Sequence, residues 1–161
     1  MSLPIKKICF IGAGTMGCFN SLLASAAGYD CLIYDPFEDA LENRSINQAK
    51  LANFLKHENF FKGVDVNAAI KKIYDCSDLR LALDSTHLIS ESIPENLELK
   101  TKLFQKLEGL VDKKTIITTN TSGLSLETLS NQMSPKFQFA AMHFHLGSRL
   151  VDIVRGTHTS E

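Results

Sequence analysis

Lys6-Lys7-Ile8-Cys9-Phe10-Ile11-Gly12-Ala13-Gly14-Thr15-Met16-Gly17 opens as a short β-prone apolar run and breaks into glycines. It then passes into a stretch from Met16 to Ala27 rich in small and apolar residues. That order reads as strand, turn, helix. Gly28 closes the helix, and Cys31-Leu32-Ile33-Tyr34 makes a second strand of the buried type. It ends at Asp35-Pro36, because proline cannot continue a hydrogen-bonded ladder. The first 36 residues are therefore a βαβ unit.

Within that unit, Gly12-Ala13-Gly14-Thr15-Met16-Gly17 fits G-x-G-x-x-G where the pattern has mechanical meaning, between a strand and a helix. The first glycine permits the tight turn, the second lets a pyrophosphate approach the backbone, and the third lets helix and strand pack closely. Exposed amides around Thr15 and Met16, at the positive end of the helix dipole, then hold the phosphate. Asp35 stands 18 residues beyond Gly17, at the tip of the second strand. There a carboxylate accepts hydrogen bonds from the adenosine ribose and repels a 2′-phosphate, which favours NAD over NADP. FAD uses the same fingerprint and is the alternative cofactor.

Outward from this unit, Glu38 to His57 repeats Leu41, Ile46, Leu51, Phe54 and Leu55 three to five residues apart, a helical pattern, and a second helical patch follows from Val66 to Lys72. The two are expected to project as a hairpin between the second and third strands. Ile73-Tyr74 reads as a short strand, Leu79 to Leu83 as a short helix, and His87 to Glu91 as a fourth strand. Asn96 caps a helix running to Leu110. Thr115 to Thr119 is a fifth strand and Ser125 to Ser130 a short helix, followed by strand candidates at Phe137 to His145 and Leu150 to Val154. The alternation predicts an α/β fold, a doubly wound Rossmann-type, mostly parallel sheet with a helical hairpin insertion after the second strand.

The 161 residues make one well-cored domain, and the 44% hydrophobic and 22% charged fractions exclude a collagenous or disordered chain. Seventeen basic and 18 acidic residues are well mixed, with a net charge of -1, so no basic stripe exists for nucleic acid. No apolar run is long enough to span a bilayer, and no signal peptide is seen, so the expectation is a cytoplasmic protein without membrane contact. Cys9, Cys18, Cys31 and Cys76 are scattered, with no CxxC pair and no histidine at metal-ligand spacing, so no metal site is expected.

Four stretches together resemble the NAD-binding domain of the L-3-hydroxyacyl-CoA dehydrogenases. They are Gly12 to Gly17; Glu91-Ser92-Ile93-Pro94-Glu95-Asn96-Leu97 with Lys100; Thr119-Asn120-Thr121-Ser122; and Met142-His143-Phe144 leading to Leu150-Val151-Asp152-Ile153-Val154-Arg155-Gly156. The resemblance covers nearly the whole chain. It implies reversible oxidation of the 3-hydroxyl of an acyl-CoA to a ketone, with hydride passing to NAD. By the resemblance, His143 is the base, Asp152 the carboxylate that orients it, and Ser122 a hydrogen-bond partner of the substrate oxygen. Asn120 holds the loop at the nicotinamide end, and Glu95 and Lys100 lie along the nicotinamide ribose. The hairpin is similar to the family's coenzyme A-contacting insertion. The family's helical second domain, which carries most of the dimer contact, is not among residues 1–161, so a homodimer is expected only where that domain is present.

Taken alone, Glu95 and Lys100 read as helix-start and solvated-face charges, and His145, His57, His87 and His158 have no matched role. The chain also departs from the resemblance. After His143 the family reads Phe-Phe-Asn-Pro and a longer loop to Leu-Val-Glu. Here His145-Leu146-Gly147-Ser148-Arg149 is about three residues shorter and ends in Asp152, not glutamate. Phe19 replaces a glycine common in the first helix; it either narrows the pyrophosphate approach or points into the core. The altered loop from His145 to Arg149 feeds a second reading, a catalytically weak or inactive dinucleotide-binding module, degenerate or crystallin-like. A third, an unrelated NAD-linked hydroxyacid dehydrogenase, accounts only for the first βαβ unit.

Overall fold

The computed structural model describes residues 5–55, 59–134, 137–148 and 151–155. Among the described residues seven strands form one sheet in the order β3-β2-β1-β4-β5-β6-β7. They are β1 (Lys7–Ile11), β2 (Asp30–Tyr34), β3 (Tyr74–Cys76), β4 (Leu88–Glu91), β5 (Ile116–Thr119), β6 (Gln138–Phe144) and β7 (Val151–Arg155). All pairings are parallel except β6 with β7. The doubly wound, mostly parallel sheet is the fold expected from the alternation.

Strand β1 shows why the sheet is buried on both faces. Cys9 and Ile11 point into one cluster with Ile89, Phe104, Ile117 and Phe139, while Ile8 and Phe10 point into another with Cys31, Ile33 and Leu41. Helices α5 (Leu79–Ala82), α6 (Leu97–Glu108) and α7 (Leu126–Ser130) supply Leu79, Phe104, Leu107 and Leu129 to the first cluster. Asn96 caps α6 by accepting a hydrogen bond from the Leu99 amide, as its position predicts.

The insertion after β2 is docked and does not project. It comprises α2 (Glu38–Glu42), α3 (Arg44–Phe54) and α4 (Val66–Lys71), so the single long helix expected is divided at Asn43. Ala52 of α3 and Ala69 and Ile70 of α4 pack around Leu22 of α1 (Thr15–Ala26). Buried Arg44 clamps the arrangement. It donates through Nε and Nη2 to Asp75 at 2.5 and 2.9 Å, through Nη1 to Gln48 at 2.7 Å, and to the carbonyls of Ile70 and Ile73. A guanidinium with this many partners holds both arms against the sheet. The end of the expected helix at His57, Leu150 at the start of the last strand, Arg149 of the shortened loop, and Gly156 and His158 lie outside the described residues. Among the described residues no helix is long and apolar enough to cross a membrane.

Candidate active site

Each motif glycine meets the demand its position makes. Gly12 has φ +103°, and a Cβ there would lie 2.8 Å from the Ser92 carbonyl oxygen; at Gly17 it would lie 1.7 Å from the Gly12 carbonyl oxygen. At Gly14 nothing lies within 4 Å, so the space a pyrophosphate needs is open. Helix α1 begins there with no side-chain cap and no acidic residue in its first turn, which leaves its first amides for an anion. Asp35 is buried and braces the turn, with Oδ2 accepting from the Ala13 amide at 2.8 Å and Oδ1 from the Phe37 amide at 3.0 Å. Phe19 is fully buried beside Phe60, rings 5.8 Å apart, and so points into the core.

At the carboxyl ends of β4 and β5 sits a charge cluster that the sequence only half revealed. Glu91, the last residue of β4, and Lys100, in the first turns of α6, are 0% and 1% exposed and 2.6 Å apart. Lys100 is therefore not on a solvated face. Glu91 also accepts from the Ile93 amide at 2.7 Å and the Thr119 hydroxyl at 2.5 Å, so the ion pair is fully hydrogen-bonded. Lys100 Nζ lies 3.4 Å from Glu95 as well. Glu95 accepts from the Thr121 hydroxyl and from the amides of Ser122 and Gly123 at 3.1 and 3.0 Å, and so shapes the loop that presents Ser122. Burial alone raises the Glu95 carboxyl. The Thr121 and Gly123 hydrogen bonds, with Lys100 beside them, outweigh it and take the group down to about 2. Asn120 ties strand ends together, its amide donating to the Glu91 carbonyl and its Oδ1 accepting from the Phe144 amide, both at 2.8 Å.

Glu95, Lys100, Asn120 and Ser122 line a cleft of about 460 Å³ together with Met16, Ser92, His143 and His145. Ser92 also lines the cleft, and its hydroxyl oxygen is buried with no hydrogen-bond partner among the described residues. On the far wall, His143 and Asp152 are register partners across β6 and β7. The carboxylate nevertheless favours the other histidine: Asp152 Oδ2 is 2.8 Å from His145 Nε2 and 3.9 Å from His143 Nδ1. The hydrogen bond from His145 holds the Asp152 carboxyl below its usual range. Glu91 and His145 are the residues sequence reasoning passed over. A charge closing an apolar strand and a second histidine two residues after the first were the available signals.

The family model described as 3-hydroxyacyl-CoA dehydrogenase, NAD binding domain, matches residues 7–161. The chain belongs to that family. As a 3-hydroxyacyl-CoA dehydrogenase NAD-binding domain, its cofactor is NAD, and Gly14 and the free α1 amides fit it. The human mitochondrial hydroxyacyl-coenzyme A dehydrogenase is 29% identical over 169 residues, 98% of this chain and 52% of that protein. The human lambda-crystallin homolog is 28% identical over 118 residues, 73% of this chain and 37% of that protein. Among solved structures, (S)-3-hydroxybutyryl-CoA dehydrogenase PaaH1 from Ralstonia eutropha superposes with a TM-score of 0.85 at 27% identity, covering 98% of this chain and 56% of that one. The chain spans about half the length of the curated relatives it matches. Membership of this family displaces the unrelated hydroxyacid dehydrogenase reading.

Proposed function

We propose that this chain is the cofactor half of an NAD-dependent (S)-3-hydroxyacyl-CoA dehydrogenase, completed by a helical second domain that carries the dimer contact. The observation that carries the reading is the convergence of His143, Ser122 and Asn120 on one cleft that opens beside the glycine turn. NAD, when bound, supplies the hydride acceptor. Ser122, on the loop shaped by Glu95, donates to the substrate oxygen. With Nδ1 turned toward Asp152, His143 would keep Nε2 free to take the proton of the 3-hydroxyl. Glu95 and Lys100 would hold the nicotinamide-ribose end of the cofactor, and Asp35 would accept from the adenosine ribose. The docked α2–α4 insertion is the surface proposed to meet coenzyme A. We place the protein in a reducing compartment, with the cytoplasm as first choice. Cys9, Cys18 and Cys31 are free and buried, and burial pushes their thiols up to about 12, 11 and 12.

One observation favours the catalytically weak, crystallin-like module as the second reading: Asp152 gives its short contact to His145, so the proposed base lacks a hydrogen-bonded carboxylate. Reduction of acetoacetyl-CoA by NADH separates the two. The dehydrogenase reading requires turnover by the full-length protein and its loss in His143→Gln. A full-length protein that binds NADH but does not turn over selects the module.

A further inference from the structure

We propose that His143, His145 and Asp152 form a binding site for a transition-metal ion, zinc above all, on the wall of the cleft. The three side chains share one face of the β6–β7 ladder because His143 and His145 are two residues apart and Asp152 is the register partner of His143. Their rings lie 4.3 Å apart, and one ligand atom from each of the three residues falls within 4.8 Å of the others. Tetrahedral zinc with bonds of about 2.0–2.2 Å sets its ligand atoms about 3.3 Å apart. The two carboxylate-to-imidazole distances, 2.8 and 3.9 Å, lie on either side of that value, so small side-chain rotations complete the geometry.

The donor chemistry selects the ion. Two imidazoles and one carboxylate suit zinc and its first-row neighbours and are a poor match to magnesium or calcium, which take oxygen shells. Three protein ligands leave a fourth position open, and the half-exposed imidazoles and exposed carboxylate let the ion enter from solvent. The turn that follows is tight, with the Ser148 amide donating to the His145 carbonyl at 3.0 Å and Gly147 at φ +75°.

Metal binding has a consequence that rests on the dehydrogenase reading, whereas the site itself does not. A neutral imidazole has one lone pair. Once Nδ1 of His143 gives it to the ion, Nε2 carries the proton and cannot accept another. Zinc and base catalysis therefore exclude each other at His143, and the site acts as a metal-sensitive brake.

The test is a zinc competition titration of untagged protein against a chromophoric chelator, with the visible absorption of added cobalt as a second readout. Wild type is expected to take one equivalent and to give the intense bands of tetrahedral cobalt. His145→Phe and Asp152→Asn are expected to lose about 100-fold or more in affinity, and His87→Gln none, each variant first shown to melt like wild type without metal. A wild type that competes no better than His145→Phe, or equal weakening in His87→Gln, overturns the site. A parallel NADH titration keeps the two readings apart. Zinc binding without NADH binding upholds the site and sinks the dehydrogenase, whereas NADH binding without zinc binding overturns the site and leaves the dehydrogenase reading to the turnover assay.

Discussion

Replacing Gly17 by alanine puts a methyl carbon 1.7 Å from the Gly12 carbonyl oxygen, against a floor near 3.0 Å for such contacts, so α1 must back away from β1 by about 1.3 Å. The obstacle is backbone, which cannot rotate aside, and the helix carries buried Cys18, Phe19 and Leu22 with it. Overpacking of this kind costs about 1–3 kcal/mol in ordinary cores, and here the expected loss is at the top of that range, about 3 kcal/mol. Gly14→Ala is the matched control. Its φ of -71° suits alanine and its Cβ meets nothing, so stability should change by no more than about 1 kcal/mol. That methyl does fill the pyrophosphate approach, so NADH affinity should fall about 10- to 100-fold, or about 1.4–2.8 kcal/mol. Urea unfolding and NADH titration of both variants check the pair. A Gly17→Ala protein as stable as wild type, or a Gly14→Ala protein that binds NADH normally, would refute the separation of packing from phosphate binding.

Lys100→Met strands the buried Glu91 carboxylate and should cost about 3–5 kcal/mol in urea unfolding. The double variant with Glu91→Gln should recover part of that, and a single-variant cost under about 1 kcal/mol would contradict the buried pair. Asp35→Ala frees the Ala13 amide and removes the charge facing a 2′-phosphate, so NADH should bind more weakly and the preference over NADPH should shrink; unchanged binding would remove Asp35 from the site. Glu95 is depressed from its ordinary 4.5 to about 2, so the stability it contributes is present above pH 4.5 and lost as pH falls toward 2. The melting temperature of wild type should decline more steeply across that window than that of Glu95→Gln, and parallel curves would count against the Thr121–Gly123 clasp.

The glycine turn, the end of the second strand before Asp35 and the alternation of strands and helices were legible because each depends on local spacing. The docking of the insertion was not. It depends on Arg44 reaching Asp75 and on Ala52 meeting Ala69 and Ile70 across separate helices, contacts that leave no periodic trace in the sequence. Lys100 misleads for a related reason: a lysine on a helix ordinarily faces water, and only the partner at the end of a different strand makes burial tolerable. The choice of Asp152 between His143, its register partner, and His145 is a matter of side-chain rotation within about 1 Å, which spacing along the sequence does not encode.

We propose that the glycine turn and Asp35 together make a NAD site. Calorimetric titration of this chain with NADH, and with NADPH as the comparison, tests it most directly. NADH should bind in the micromolar range and NADPH much more weakly. Binding of neither, or equal binding of both, would contradict it.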